Sequence, residues 1–64
     1  MIVNGSKIML RKEISVKEFL EESGYDMQKV AVEKNGEIIP KINFETEILL
    51  NTDKIEIVCF VGGG

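Results

Sequence analysis

The sequence predicts a small α+β domain with the element order ββαββ. Two Asn-Gly pairs, at positions 4–5 and 35–36, each separate two apolar, strand-like runs. Asn-Gly is the strongest short hairpin signal, because a type I′ turn needs a positive φ at both central residues. Between the hairpins, Ser15-Val16-Lys17-Glu18 matches the capping box that begins a helix. These three observations predict the strands and the helix.

The first turn fixes the pairing of the first hairpin. It places Val3 opposite Ser6, and Met1 opposite Ile8. Because side chains alternate between the two faces of a strand, we expect four apolar residues on the core face: Met1, Val3, Ile8 and Leu10. The opposite face then carries Ile2, Lys7 and Met9.

The helix is predicted to begin at Ser15 and to end before Gly24. Ser15 is the expected N-cap, and Glu18 is the residue that reaches back to it. Ile14 and Phe19 have the spacing of the hydrophobic staple that accompanies such a cap. A helix of roughly two turns is not stable alone, so we expect it to pack on the sheet.

The second hairpin is predicted to pair residues 27–34 with residues 37–39, and Pro40 should end its second strand or confine that strand to an edge of the sheet. Its register places Val32 opposite Ile39. Residues 41–50 predict a loop with one helical turn, and a last strand should cover residues 54–61.

Alternation divides that last strand into two faces. The predicted core face carries Ile55, Ile57, Cys59 and Val61, which makes Cys59 a small buried hydrophobe. The other face carries Glu56, Val58 and Phe60. After this strand the sequence continues into Gly62, Gly63 and Gly64, so we predict a domain over residues 1–61 and a glycine tail over residues 62–64.

Composition excludes several classes of function. The chain has 64 residues, no histidine, one cysteine and a net charge of −3. No zinc site can be assembled from these residues, and the acidic balance argues against a nucleic-acid partner. A single cysteine, no signal peptide and no apolar run of membrane-spanning length lead us to expect a soluble, cytoplasmic protein that does not contact a membrane.

The terminal carboxylate of Gly64 is the one distinctive reactive group that remains. Glycine adds nothing to a core, but it gives a thin peptide that another enzyme's pocket can admit. Extended, residues 61–64 would reach at most about 13–14 Å. We expect the tail to be presented to partner enzymes, with the domain behind it as the surface that they recognise.

The whole chain resembles the ThiS family of thiamine-biosynthesis sulfur carriers, within the ubiquitin-like β-grasp superfamily. The matching residues are Val3-Asn4-Gly5, Val16 with Phe19-Leu20, Val30-Ala31-Val32, Asn35 to Lys41, Asp53 to Ile57, and Phe60 to Gly64. The sequence departs from the family pattern at Thr52, where a glycine is usual, and at Lys41, where an arginine is common. The resemblance implies a mixed sheet, one helix packed on one face, and a flexible C-terminal glycine tail.

The resemblance also implies a carrier cycle in which this chain is a protein co-substrate and not itself an enzyme. An adenylyltransferase of the ubiquitin-activating type would use ATP to adenylate Gly64. Sulfur from a donor of the cysteine desulfurase type would then displace AMP and leave a thiocarboxylate. A thiazole synthase would take that sulfur into the thiazole ring, and the carrier itself would bind no cofactor or metal.

In a β-grasp sheet the helix covers one face only, so apolar residues on the other face are candidates for partner docking. These residues are Ile2, Met9, Val58 and Phe60. Three alternatives stay open: a carrier for molybdopterin synthesis or tRNA thiolation, a ubiquitin-like protein modifier, and a plain interaction module. The first two classes use the same terminal Gly-Gly, so the sequence separates them poorly.

Overall fold

The computed structural model describes residues 1–60. Within them the chain forms β1 (Ile2–Val3), β2 (Ser6–Lys7), β3 (Ile14–Ser15), α1 (Val16–Glu22), β4 (Val30–Lys34), β5 (Glu37–Ile38), β6 (Ile48–Leu49) and β7 (Lys54–Cys59). Short 3-10 helices cover Met27–Lys29 and Lys41–Asn43. Across residues 1–60, no helix has both the length and the apolar character needed to cross a membrane.

Five strands form one mixed sheet in the order β2-β1-β7-β4-β5. β1 and β7 run parallel, whereas each of the other neighbouring pairs is antiparallel. The predicted mixed sheet with one helix is confirmed, and β7 lies at the centre of the sheet. Its five strands follow the chain order ββαβββ, one strand more than the predicted order ββαββ. β3 and β6 form a separate two-stranded antiparallel ribbon.

Both predicted Asn-Gly hairpins are present with the predicted registers. Asn4 and Gly5 have φ of 50° and 85°, and Asn35 and Gly36 have φ of 52° and 88°. These positive values are what a type I′ turn requires, and asparagine and glycine tolerate them better than other residues. The turn chemistry therefore fixes which strand residues face each other.

The helix begins and ends where its sequence signals predict. The Glu18 N–H donates to the Ser15 hydroxyl over 3.1 Å, and the Ser15 N–H donates to the Glu18 carboxylate over 3.2 Å. Gly24 follows the last turn with a φ of 82°. Ile14 and Phe19 are both buried, as the predicted hydrophobic staple requires.

The core lies between α1 and one face of the five-stranded sheet. Its buried apolar side chains are Met1, Val3, Ile14, Val16, Phe19, Leu20, Val30, Val32, Ile39, Phe44, Leu49, Ile55 and Ile57. Each such side chain stabilises the fold by about 1.5–3 kcal/mol relative to an exposed one. The opposite face of the sheet is uncovered over residues 1–60, and we call it the open face.

Two residues predicted for the core lie at the surface. Ile8 is 36% exposed because it follows the edge strand β2, where little of the core reaches it. Cys59 is exposed as well, so its prediction as a buried hydrophobe is wrong. β7 continues past the end of β1, and Cys59 lies two residues beyond Ile57, the last β7 side chain in the core.

Two segments have a different backbone from the one predicted. Residues 27–29 form a 3-10 helix and not a strand, because the Asp26 carboxylate accepts a hydrogen bond from the Gln28 N–H over 2.8 Å. Residues 41–50 contain the predicted helical turn at Lys41–Asn43, but they also contribute β6, which the sequence did not predict. Residues 60–61 of the predicted last strand fall outside β7: residue 60 follows it, and residue 61 lies outside the described residues.

A polar network around Asp53 holds the turn that leads into β7. Its carboxylate accepts hydrogen bonds from the Leu50 N–H over 2.8 Å and from the Asn35 side chain over 2.9 Å. The Lys34 Nζ lies 3.8 Å from the Asp53 Oδ2 and donates to the Glu47 carboxylate over 2.8 Å. Burial alone would raise the pKa of Asp53, but the hydrogen bonds and Lys34 outweigh it and hold this pKa below its usual value.

Candidate functional site

β7 connects the core of the domain to the predicted tail. Its Ile55 and Ile57 side chains are buried, and β1 and β4 flank it on either side. The predicted tail residues Gly62, Gly63 and Gly64 lie outside the described residues, so their roles stay predictions. The geometry that bears on function is therefore that of the sheet just before the tail.

The open face next to the tail is apolar. Val58 and Phe60 each keep 53% of their surface exposed, as predicted from alternation along β7. Val58 lies directly opposite Ala31 of β4. We call Val58 and Phe60, together with Ala31 on the neighbouring strand β4, the tail-proximal patch.

Ile38 is a further exposed apolar residue that the sequence analysis did not single out. It lies on the edge strand β5 opposite Glu33 of β4, and 72% of its surface is exposed. The sequence does contain this information. If Ile39 faces the core opposite Val32, alternation places Ile38 on the open face. Ile38 extends the apolar surface from Ala31 towards the sheet edge.

The structure does not bring all four predicted docking residues together. Ile2 and Met9 are exposed, by 42% and 77%. Ile2, however, pairs with Lys54, which precedes Val58 by four residues along β7. At about 3.3 Å per residue this separates them by roughly 13 Å. Ile2 and Met9 therefore lie at the far end of the open face, away from the tail.

Two carboxylates border the tail-proximal patch. Glu56 of β7 lies directly opposite Glu33 of β4, and neither forms an ion pair within residues 1–60. Like charges in this arrangement repel each other. A partner surface with a basic side chain would relieve that repulsion, whereas an acidic one would increase it.

Asn4 sets the point at which β7 leaves its neighbour β1. Its side-chain oxygen accepts from the Ile57 N–H over 2.7 Å, and its side-chain nitrogen donates to the Ile57 carbonyl over 3.1 Å. The carboxamide thus occupies the place that a further residue of β1 would take. Beyond Ile57, in the part of the chain that the structure describes, β7 has backbone partners on its β4 side only.

The family model that describes the ThiS family matches residues 1–64. A protein named sulfur carrier protein ThiS, from Bacillus subtilis, is 36% identical over 63 residues, which are 97% of this chain and 96% of that one. A thiazole synthase of Paramagnetospirillum magneticum is 41% identical over 64 residues, but the chain spans only 20% of its length.

Solved structures agree with the sequence comparisons. The crystal structure of the thiamine biosynthesis protein ThiS from Geobacter metallireducens superposes with a TM-score of 0.84 and 29% identity. The match covers 98% of this chain and 96% of that one. It confirms the predicted β-grasp fold.

Proposed function

The chain belongs to the ThiS family, and on that premise we propose that it is a sulfur carrier for thiamine biosynthesis. In this cycle an adenylyltransferase of the ubiquitin-activating type uses ATP to convert the Gly64 carboxylate into an acyl adenylate and releases pyrophosphate. A persulfide from a donor of the cysteine desulfurase type then displaces AMP to give an acyl disulfide, and a thiol reductant cleaves its S–S bond. The product is a thiocarboxylate on Gly64.

The observation that carries this proposal is the position of the tail-proximal patch. Val58 and Phe60 are exposed on the open face in the last residues before the glycines. An enzyme that docks there therefore has the start of the tail within its interface. The patch supplies apolar contact area, and Glu33 and Glu56 beside it favour a basic partner.

The chemistry also explains why a protein would carry the sulfur. A carboxylate is a poor electrophile, whereas the adenylate gives one of its oxygens a good leaving group. Sulfur held covalently on a protein does not diffuse away. Glycines without side chains suit a narrow active site, and the domain supplies recognition that the tail lacks.

A thiazole synthase is the proposed sulfur acceptor. Support comes from the Paramagnetospirillum magneticum protein of that name, in which a segment similar to this chain is part of the same polypeptide. Two domains in one polypeptide meet at a high effective concentration. We propose that the separate carrier docks on a thiazole synthase for the same transfer.

Adenylation in vitro tests the carrier proposal. The protein is incubated with its activating enzyme and ATP, and its intact mass is measured. We expect an AMP adduct that fragmentation places on Gly64. A variant that lacks Gly64 should form no adduct, whereas Ile42→Ala, at a site distant from the tail in the sequence, should form it normally. Equal adenylation of the chain without Gly64 would contradict the proposal.

A further inference from the structure

The backbone of β7 turns alternately towards its two neighbouring strands. On the β4 side, the Asn35 N–H donates to the Lys54 carbonyl over 2.8 Å, and the Phe60 N–H donates to the Lys29 carbonyl over 2.7 Å. The backbone N–H and C=O groups of the even-numbered β7 residues therefore point towards β4. On the β1 side, the Ile55 carbonyl accepts from the Asn4 N–H over 2.9 Å.

By the same alternation, the N–H and C=O of Cys59 point to the β1 side. β1 ends at Val3, and the chain turns away at Asn4 and Gly5. The Asn4 side chain serves Ile57 and reaches no further. Within residues 1–60, no backbone or side-chain group bonds Cys59 on that side. Among these residues, the backbone of β7 at Cys59 is thus unpaired on its β1 side, just before the predicted tail, and we call this site the open edge.

We propose that the adenylating enzyme fills this edge with an extended segment of its own, which pairs with the backbone of Cys59 as an added strand. This inference rests on the proposed function and names the contact by which the enzyme holds the tail. Strand addition to an exposed sheet edge is a common way to bind, because main-chain hydrogen bonds supply affinity. Here the edge is created by the early end of β1.

The position of the open edge determines which side chains and what length the added strand should have. Its side chains alternate between the two faces of the sheet. Those on the open face meet Val58 and Phe60, each 53% exposed, so they should be apolar. The segment is also short, because Asn4 already occupies the preceding place beside Ile57.

The added strand would change how the tail is presented. In the free protein, among residues 1–60, the end of β7 is held by β4 alone. A partner strand on the other side would fix the direction in which the chain leaves the sheet. Such ordering lowers the entropy lost when the tail enters the active site.

The test removes one hydrogen-bond donor and leaves the side chains unchanged. A chain of this length can be made by chemical ligation, with the amide N–H of Cys59 replaced by an ester oxygen. Since this N–H makes no bond within residues 1–60, the fold should be unaffected. We expect binding to the activating enzyme to weaken about three- to tenfold, the effect of one hydrogen bond.

The matched control is the same replacement at Lys7. Its N–H points away from β1, because the neighbouring Ile8 N–H is the one that donates to Met1, over 2.7 Å. Within residues 1–60, the Lys7 N–H thus makes no hydrogen bond and lies at the outer edge of the sheet, on β2, so its ester should bind normally. Equal binding by the Cys59 ester and the wild type, or equal losses for both esters, would overturn the proposal.

Amide hydrogen exchange supplies a second readout. The Cys59 amide should exchange at least tenfold more slowly in the complex, and unchanged exchange would overturn the added strand. Normal adenylation together with normal binding of the Cys59 ester would remove this inference and leave the carrier proposal standing. A wild-type protein that is neither bound nor adenylated would overturn both.

Discussion

Asp53 shows how a single side chain can hold several loops together. Its carboxylate joins the Leu50 backbone, the Asn35 turn and Lys34 at the point where β7 begins. Lys34 in turn reaches Glu47, and this hydrogen bond is the main reason that the pKa of Lys34 lies above its usual value, against the opposing effect of burial. The network thus adds hydrogen bonds to a segment that also carries the buried Leu49 and Ile55.

Asp53→Asn should lower the free energy of unfolding by about 1–2 kcal/mol at pH 7, because the buried bonds lose their charge. The effect should depend on pH. Since the folded pKa of Asp53 is lowered, its contribution is present above the unfolded pKa of about 3.9 and is lost as pH falls through the folded pKa.

Urea titrations at a series of pH values measure this difference. The gap between wild type and Asp53→Asn should close as the pH falls below about 4. Glu56→Gln, which removes an exposed carboxylate without an ion pair in residues 1–60, should change stability by less than about 0.5 kcal/mol. A gap for Asp53→Asn that stays constant down to pH 2 would contradict the role given to its charge.

Among the elements, the helix depends most on its cap. α1 has seven residues, too few for stability without packing and capping. Ser15→Ala removes the hydroxyl that accepts from the Glu18 N–H and should destabilise the protein by about 1 kcal/mol. Ser23→Ala, at the other end of the helix, should change little, and thermal unfolding compares the two. Equal midpoints for both variants would contradict the importance of the cap.

The elements that the sequence predicted correctly are those with local chemistry of their own. Asn4-Gly5 and Asn35-Gly36 fix two hairpins, and Ser15 with Glu18 fixes a helix start, because each signal acts within a few residues. β3 and β6 were missed for the opposite reason. Strands of two residues have no periodicity to detect, and they exist because distant residues pair.

The errors in burial have a related cause. Alternation assigns side chains to the correct face of a strand. It does not show how far along the strand that face is covered by the core. Cys59 has the parity of Ile57 and yet is exposed, since β7 extends beyond β1 and the core. The four candidate docking residues are divided between two regions for the same reason: Val58 and Ile2 share a face, but only the fold shows how far apart they lie.

At the scale of the whole molecule, one face of the sheet packs against the core, and the other is uncovered over residues 1–60 and carries the proposed docking surface. Phe60→Ala should therefore weaken binding to the activating enzyme by about tenfold, as truncation of an aromatic interface residue does. Its thermal stability should fall only slightly, because 53% of the surface of Phe60 is already exposed. Calorimetric titration of wild type and variant measures the affinity.

Ile42→Ala is the matched control for this surface. Ile42 is 88% exposed, but it lies on the 3-10 helix Lys41–Asn43 and not on the open face. It should bind with wild-type affinity. If Ile42→Ala and Phe60→Ala weaken binding equally, or if neither does, the tail-proximal patch is not the docking surface.

We propose that this domain carries sulfur on Gly64, and the intact mass of the protein isolated from its own cell is the decisive test. We predict a fraction of molecules with a thiocarboxylate in place of the terminal carboxylate, and loss of this fraction when the activating enzyme is deleted. A terminus found only as carboxylate, or joined to lysines of other proteins, would contradict the claim.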